Sequence, residues 1–441
     1  MSSSPSQSPP YSDAKSFRRE RIAVIGSGIS GMAAAYFLSR KYEVHLFERD
    51  NRLGGHTHTH LIEYPGTGRT IPVDTGFIVH NDRTYPNLIR LFAELGVETQ
   101  PSDMSFGVSC QKTGFEYSSR GLSGFFAQRS NLFRPSHYRF FGELLRFNRV
   151  AARLLDDPVN VNVTLGEYLE RERFNREFSD HYLYPMSAAV WSTSPEKMRD
   201  FPAFTLIRFF ENHGFLGINT HPKWKTLRGG SHSYIAPLTK PFTRNVYLGS
   251  QISKVCRAEN RVTLRFADGS NGEFDQVLFA VHGDQVLPLL ENPTRAEQQI
   301  LGNFRTSTSQ TWLHTDTAML PKRRPAWASW NYHVSVEGMN DLASGSVAVT
   351  YDMNRLQAID SPTRFCVTLN ATDRIDRRKV LRRMQYSHPL YTLESVRSQA
   401  RWQEISGQNR THYCGAYWFY GFHEDGLNSA LRVARTLGVE W

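Results

Sequence analysis

Residues 21–48, RIAVIGSGISGMAAAYFLSRKYEVHLFE, leave the fold less freedom than any other part of the chain. Residues 22–25 are a short apolar run with branched side chains, as a strand buried on both faces requires. The run ends directly on Gly26-Ser27-Gly28-Ile29-Ser30-Gly31. In such a turn the first glycine permits the tight bend and the second lets a pyrophosphate approach the backbone. The third lets the following helix pack close to the strand, and its N-terminal amides face the phosphates. Residues 32–38 continue as an Ala-rich helix and residues 43–47 read as a second strand. Glu48 then stands where a ribose 2′-hydroxyl needs an acceptor and where a 2′-phosphate would be repelled. Strand, turn, helix and acid together predict a bound dinucleotide; the six-residue motif alone would not.

Arg52-Leu53-Gly54-Gly55 follows the acid at once. This run resembles the extended fingerprint of flavoproteins with two dinucleotide-binding domains, in which a second glycine turn and a basic residue close over the FAD pyrophosphate. From about Arg21 to the C-terminus the chain resembles the flavin-containing amine oxidoreductase superfamily. Within it, GGHTHT at Gly54, VDTGFIV at Val73, YPNLIRLF at Tyr85 and YGFHEDGL at Tyr420 are similar to FAD proteins associated with cyclopropane fatty acid synthases.

That resemblance implies an α/β fold, a Rossmann-type FAD-binding domain joined to an α+β substrate domain of the amine-oxidase kind. The FAD-binding domain is expected from residues 21–80, 221–300 and 401–441. The substrate domain is expected from residues 81–220, chiefly helical, and 301–400, chiefly sheet. FAD is expected to bind non-covalently on Gly26, Gly28, Ile29, Ser30, Gly31, Glu48, Arg52, Gly54, Gly55, His56 and Thr57. The Gly229-Gly230 pair would return the chain to this domain, and backbone near Ile252 and Val255 would meet the adenine. Gly415, Glu424, Asp425, Gly426 and Leu427 would serve the pyrophosphate and the flavin's pyrimidine edge, although the acid usual after the strand's glycine is replaced by Ala416. Phosphate-binding helix starts of this kind depend on free amides and on the helix dipole.

A chain of 441 residues exceeds what one core usually organises, so two domains are expected. Formal charge is +10, from 52 basic and 42 acidic side chains, which favours anionic partners without specifying them. No recognisable nucleic-acid module accompanies it. The four cysteines, Cys110, Cys256, Cys366 and Cys414, form no CxxC, which argues against a disulfide scaffold and fits a reducing cytoplasm. Residues 1–20 are Ser- and Pro-rich and are expected to be disordered. Arg18-Arg19 does not make a twin-arginine export signal, because the glycines interrupt the apolar run behind it. No segment approaches the roughly twenty apolar residues of a membrane span.

His56, His58 and His60 alternate and would share one face of a strand, but further metal ligands nearby are wanting, so no metal site is expected. His56 occupies a position where amine oxidases of this superfamily often carry arginine. The first substrate-domain strand, Thr308-Ser309-Gln310-Thr311-Trp312, lacks the lysine common in polyamine and monoamine oxidases; the next lysine is Lys322. His56, Tyr417 and Tyr420 are the candidate proton acceptors or positioning residues. Tyr182, Met186 and Trp191, within the charge-poor run 181–191, are candidate pocket walls.

Residues 120–155 interleave Arg120, Arg129, Arg134, Arg139, Arg146, Arg149 and Arg153 with Phe125, Phe126, Phe133, Tyr138, Phe140, Phe141 and Phe147, and Glu143 is the only acid. Two readings remain open: peripheral contact with a membrane interface, or a helical lobe whose aromatics form its own core. The expected activity is oxidation of a C–H bond in a hydrophobic, lipid or fatty-acyl substrate. An amine oxidase is the alternative enzyme, and a flavin-binding partner of a lipid methyltransferase is the alternative of another class.

Overall fold

The computed structural model describes residues 18–64, 68–110, 114–191, 197–217, 222–334 and 348–441. Most of the Ser- and Pro-rich start lies outside them.

Arg21–Ile25 pairs in parallel with Glu43–Phe47 on one side and Gln276–Phe279 on the other. Val246–Tyr247 and Thr411–Tyr413 add the edges, so the described residues form a five-stranded parallel sheet that the chain enters from three separate segments. Ile22, Ala23 and Val24 are fully buried. Helices Ile29–Leu38 and His423–Thr436 pack against each other beside this sheet, Gly426 meeting Ile29 and Ser30. An antiparallel meander, Ile252–Arg257, Val262–Phe266 and Asn271–Phe274, lays Phe266 and Phe274 against Phe47. Asp268-Gly269, with Gly269 at φ +84°, makes the hairpin turn.

A second sheet of seven strands is ordered Val380–Leu390, Arg305–His314, Cys366–Leu369, Val349–Asp352, Trp330–Val334, Phe106–Cys110, Glu116–Ser118. The last two come from segment 81–220, whose other elements are chiefly helices. Phe106–Cys110 runs parallel to Trp330–Val334, a partner more than two hundred residues away. One polar row crosses four of these strands. His314 Nε2 lies 2.8 Å from Thr368 Oγ1, which lies 2.7 Å from Thr350 Oγ1, which lies 3.0 Å from His333 Nε2. All four side chains are buried, so the row satisfies groups that burial would otherwise penalise.

Helices Pro135–Val150, Leu165–Arg171 and Ala203–Asn212 cover this sheet's apolar side with Phe140, Phe147, Tyr168, Leu206 and Phe210. Thr164 begins the second of them with a reciprocal capping box to Glu167. Asp74 joins the parts. Its carboxylate accepts from Thr59 Oγ1 (2.5 Å), the Ser231 amide (2.9 Å), Ser231 Oγ (2.8 Å) and Gln357 Nε2 (2.7 Å). Its own amide donates to Gln357 Oε1 at 2.8 Å.

Candidate cofactor and active site

Ligands of open parallel sheets bind outside the carboxyl ends of the strands. Here those ends carry Gly26, Glu48, His282 and Gly415, one from each of four neighbouring strands. Gly26 stands at φ +103° and donates its amide to the Phe47 carbonyl, locking the turn to the second strand. A Cβ on Gly31 would overlap the Gly26 carbonyl oxygen, whereas one on Gly28 would meet nothing within 4 Å. The close approach at Gly31 is structural, and the free space over Gly28 is what a pyrophosphate requires. No side chain caps the helix that begins at Ile29, so its first amides remain available.

Glu48 Oε2 accepts from the Ser27 amide (2.9 Å) and Ser27 Oγ (2.6 Å), and Oε1 accepts from the Asp50 amide (2.9 Å). A carboxylate offers about four lone-pair positions, so the acid is fixed in place with acceptor capacity left for a ribose hydroxyl. Arg52 donates to the carbonyls of Gly55 (2.8 Å) and Thr57 (3.2 Å) and thereby shapes the second glycine turn. Gly54 donates to the Ser27 carbonyl at 3.0 Å, and Gly55 lies against Gly28, which brings the two turns together.

Beyond these turns stands a wall of imidazoles. His56 is 5.0 Å from His388, 5.9 Å from His282 and 5.4 Å from Tyr386, ring centre to ring centre. His56, His282, His388 and His423 are each only partly exposed. His56 Nε2 and His388 Nδ1 are buried without a hydrogen-bond partner, as are the hydroxyls of Ser307 and Ser309. These serines lie directly opposite His388 and Tyr386 in the sheet. Unpartnered polar groups gathered in this way are what a bound ring system or substrate would satisfy. The residues present therefore fit FAD: free amides and open backbone for the pyrophosphate, an acid for the ribose, and unpartnered polar atoms for the ring. An open cleft of about 690 Å³ between the parallel sheet and the meander involves none of these turns or imidazoles.

Several predicted site residues have other duties. Tyr417 is buried in the cofactor-side core, edge-on to Phe304 at 4.7 Å and tight against Gly415 and Gly283. That packing corrects its assignment as a proton acceptor. Glu424 accepts from the amides of Asn87 (3.0 Å) and Leu88 (2.8 Å), so it caps helix Pro86–Glu94 instead of a phosphate. Val255 is fully buried and its carbonyl accepts the Glu291 amide, while Ile252, partly exposed, flanks a β-bulge. Gly229-Gly230, both at positive φ, deliver the Ser231 amide to Asp74.

Thr57 shares its hydroxyl between Tyr234 OH (2.5 Å) and His423 Nε2 (3.0 Å). Asp425 accepts the Phe422 amide at 2.9 Å, and burial pushes its carboxyl up to about 7. Leu427 is core. Tyr420 is half-buried among the substrate-side aromatics, and its carbonyl accepts the Trp191 indole N–H at 3.2 Å. Cys414 is fully buried and its thiol is pushed up by burial, so it stays a thiol.

The sequence reading did not pick out His282, His388, Tyr386 and His423. The first follows a parallel strand at its carboxyl end, a position that is itself a signal; the others are placed by tertiary pairing alone. Lys322 lies beyond Arg305–His314 and outside the wall. Among the described residues no group of three or more His, Cys, Asp or Glu is arranged to hold a metal ion.

Burial, helped by neighbouring positive charge, pulls His56 well below its usual range, His388 and His60 down to about 4, and His58 to about 3. Burial likewise takes His423 to about 3. The wall is thus neutral at pH 7. Because these folded values lie below the unfolded one, near 6.5, their contribution to stability is complete above pH 6.5 and is lost as pH falls toward 4. The melting temperature is expected to drop across that window; thermal scans that stay level from pH 7 to pH 4 would exclude a buried neutral wall.

Comparison with known proteins agrees with this geometry. The family model described as flavin containing amine oxidoreductase matches residues 29–355. The chain belongs to this family and is a flavin-dependent oxidoreductase. A triple mutant of putrescine oxidase is similar at 15% identity and TM-score 0.68, covering 95% of this chain and 98% of that one. A CLA-producing fatty acid isomerase from P. acnes is similar at 14% identity and TM-score 0.68, covering 95% and 99%. Cyclohexylamine oxidase from Brevibacterium oxydans IH-35A gives 14% identity, TM-score 0.64, 95% and 100%. No curated protein matches in sequence. The association with cyclopropane fatty acid synthases rests on the motifs alone.

Proposed function

We propose that the protein is an FAD-dependent oxidoreductase acting on a C–H bond of a hydrophobic lipid or fatty-acyl substrate. One observation carries this reading. Helix Tyr184–Trp191, YPMSAAVW, contains no charged residue and packs on strands Trp330–Val334 and Val380–Leu390, the second of which carries His388. Met186 and Trp191 are buried there, and Tyr182 leads into the helix beside Phe140 and Phe178. Such walls suit a hydrocarbon chain. The fold that this chain shares with a fatty acid isomerase accommodates such substrates in that relative.

The flavin, when bound, supplies the acceptor for a hydride. The chain's own part is to orient the substrate against the imidazole wall, keep water out and hold a proton. His56 Nε2, neutral and without a partner, is the proton acceptor best placed for it. His56→Ala, reconstituted to full flavin content, is expected to slow substrate-driven flavin reduction about 100-fold or more. Anaerobic mixing with fatty-acyl micelles, and separately with amines, reads this from the oxidised flavin band. Bleaching by amines alone would replace the proposal with an amine oxidase. Bleaching by neither, with co-purification of a methyltransferase, would make the protein a partner subunit. An unchanged rate in the variant would remove His56 from the mechanism.

A further inference from the structure

Eight large hydrophobic side chains are exposed among the described residues, and five of them fall in one short stretch: Leu122 (79% exposed), Leu132 (44%), Phe133 (87%), Tyr138 (51%) and Phe141 (39%). Residues 120–155 divide between a buried and an exposed face. Phe140 and Phe147 turn inward to the substrate-side core. Tyr138 and Phe141 stand outward on the same helix, Pro135–Val150.

The outward groups form one continuous patch. Tyr138 donates to the Leu132 carbonyl at 2.9 Å, and its ring lies 6.2 Å from Phe126. Phe125 lies 5.1 Å from Phe126 and 5.2 Å from Phe141. Leu122 shares the short helix Gly121–Phe125 with Phe125. Arg129, Arg134 and Arg139 are exposed around the patch. The ion pairs of this stretch, Arg120 with Asp103 and Arg146 with Glu143, leave those three without a carboxylate partner among the described residues.

Resting on the lipid-substrate reading, we infer that this face docks on an anionic membrane surface, Phe133 and Leu122 entering the acyl boundary while Arg129, Arg134 and Arg139 meet the headgroups. An apolar patch rimmed by unpaired guanidinium groups is complementary to such a surface in both hydrophobicity and charge. A water-facing rim of mixed sign would suit a soluble protein partner better, and residues 120–142 carry no acid. The inner side of the same helix reaches Tyr182 through Phe140, ring centres 6.4 Å apart. The docking face therefore lies one layer of side chains from the charge-free wall of the proposed substrate site. No helix among the described residues is long and apolar enough to cross a membrane, so contact of this kind would be one-sided.

The test is co-sedimentation of the FAD-loaded protein with two vesicle preparations, phosphatidylcholine alone and phosphatidylcholine with phosphatidylglycerol. Binding is expected only to the second, weakened by high salt. Phe133→Asp combined with Leu122→Asp, and separately Arg129, Arg134 and Arg139 each changed to Glu, are expected to weaken it about tenfold or more. These substitutions lie at exposed positions, and unchanged FAD content and melting temperature would show that the fold is intact. Wild-type protein that stays in the supernatant with anionic vesicles overturns the proposal, as does binding that neither variant reduces. A dimer that Phe133→Asp converts to monomer, without vesicle binding, overturns it in favour of a second copy of this chain. Flavin reduction by acyl substrate in detergent micelles is measured alongside. Vesicle binding without reduction would retain the docking face and reject the lipid substrate, and reduction without vesicle binding would do the reverse.

Discussion

Gly31→Ala is expected to unfold the cofactor turn, whereas Gly28→Val is expected to leave the fold standing and empty it of flavin. The added Cβ at position 31 would collide with a backbone carbonyl, that of Gly26, which is itself fixed by its amide's bond to Phe47. Neither side can give way, so a destabilisation of about 3 kcal/mol or more follows. At position 28 the nearest protein atom is more than 4 Å from an added Cβ, and the new methyl groups would fill only the space reserved for a pyrophosphate. FAD affinity should fall at least about tenfold, equivalent to roughly 1.4 kcal/mol, with little change in the apoprotein's melting. Flavin absorbance per protein and apoprotein melting give the two readouts. A Gly28→Val protein that purifies as yellow as wild type would mean that the pyrophosphate lies elsewhere.

The second large effect is expected at Asp74. Four donors converge on its carboxylate from the strand beginning at Thr59, from the loop after Gly229-Gly230 and from Gln357 of the substrate side. Burial raises the carboxyl to about 6, so at neutral pH it accepts as an anion. Asp74→Ala would leave buried donors without an acceptor, at about 1–3 kcal/mol for each one that cannot be rehydrated. A total loss near 4 kcal/mol is expected, together with weakened FAD retention. Asp74→Asn, which keeps one acceptor and the shape, should recover part of it. Urea unfolding of the apoproteins measures the difference directly; a deficit under 1 kcal/mol in the alanine variant would show that the network is not a joint.

The cofactor half of the molecule was legible because its determinants are local. A strand, a glycine turn, a helix and an acid follow one another within 28 residues, and each has a single physical reason for its place. The substrate half was legible in part. Arg305–His314 and Cys366–Leu369 announce themselves as apolar or alternating runs, but Phe106–Cys110 and Glu116–Ser118 do not. They are five and three residues long, and their partners are supplied by folding.

The same distinction governs the site. His388 and Tyr386 alternate on one strand, a pattern any reader can see, yet which face looks toward His56 is decided by the register with Ser307 and Ser309. Tyr417 shows the converse. It is two residues from Gly415, but a 3₁₀ turn at Ala416–Trp418 sends its ring into the core. Closeness in sequence to a cofactor glycine is not closeness in space. Glu424 sits in the first turn of the last helix, as a phosphate-site residue would, and is spent on the amides of a neighbouring helix.

The polar row across the substrate sheet has a direction. The Asp316 amide donates to Nδ1 of His314, so the hydrogen of this neutral imidazole must sit on Nε2 and point at Thr368. At the other end the Met319 carbonyl takes a hydrogen bond from His333, which leaves its Nε2 to accept from Thr350. Between them the two hydroxyls can satisfy both ends only by donating in the same sense, Thr368 to Thr350 and Thr350 onward. The imidazoles are therefore locked as opposite tautomers, and reversing either one would require turning every hydrogen in the file. To the register that the backbone ladders set, the row thus adds a directional constraint running through the side chains of four strands.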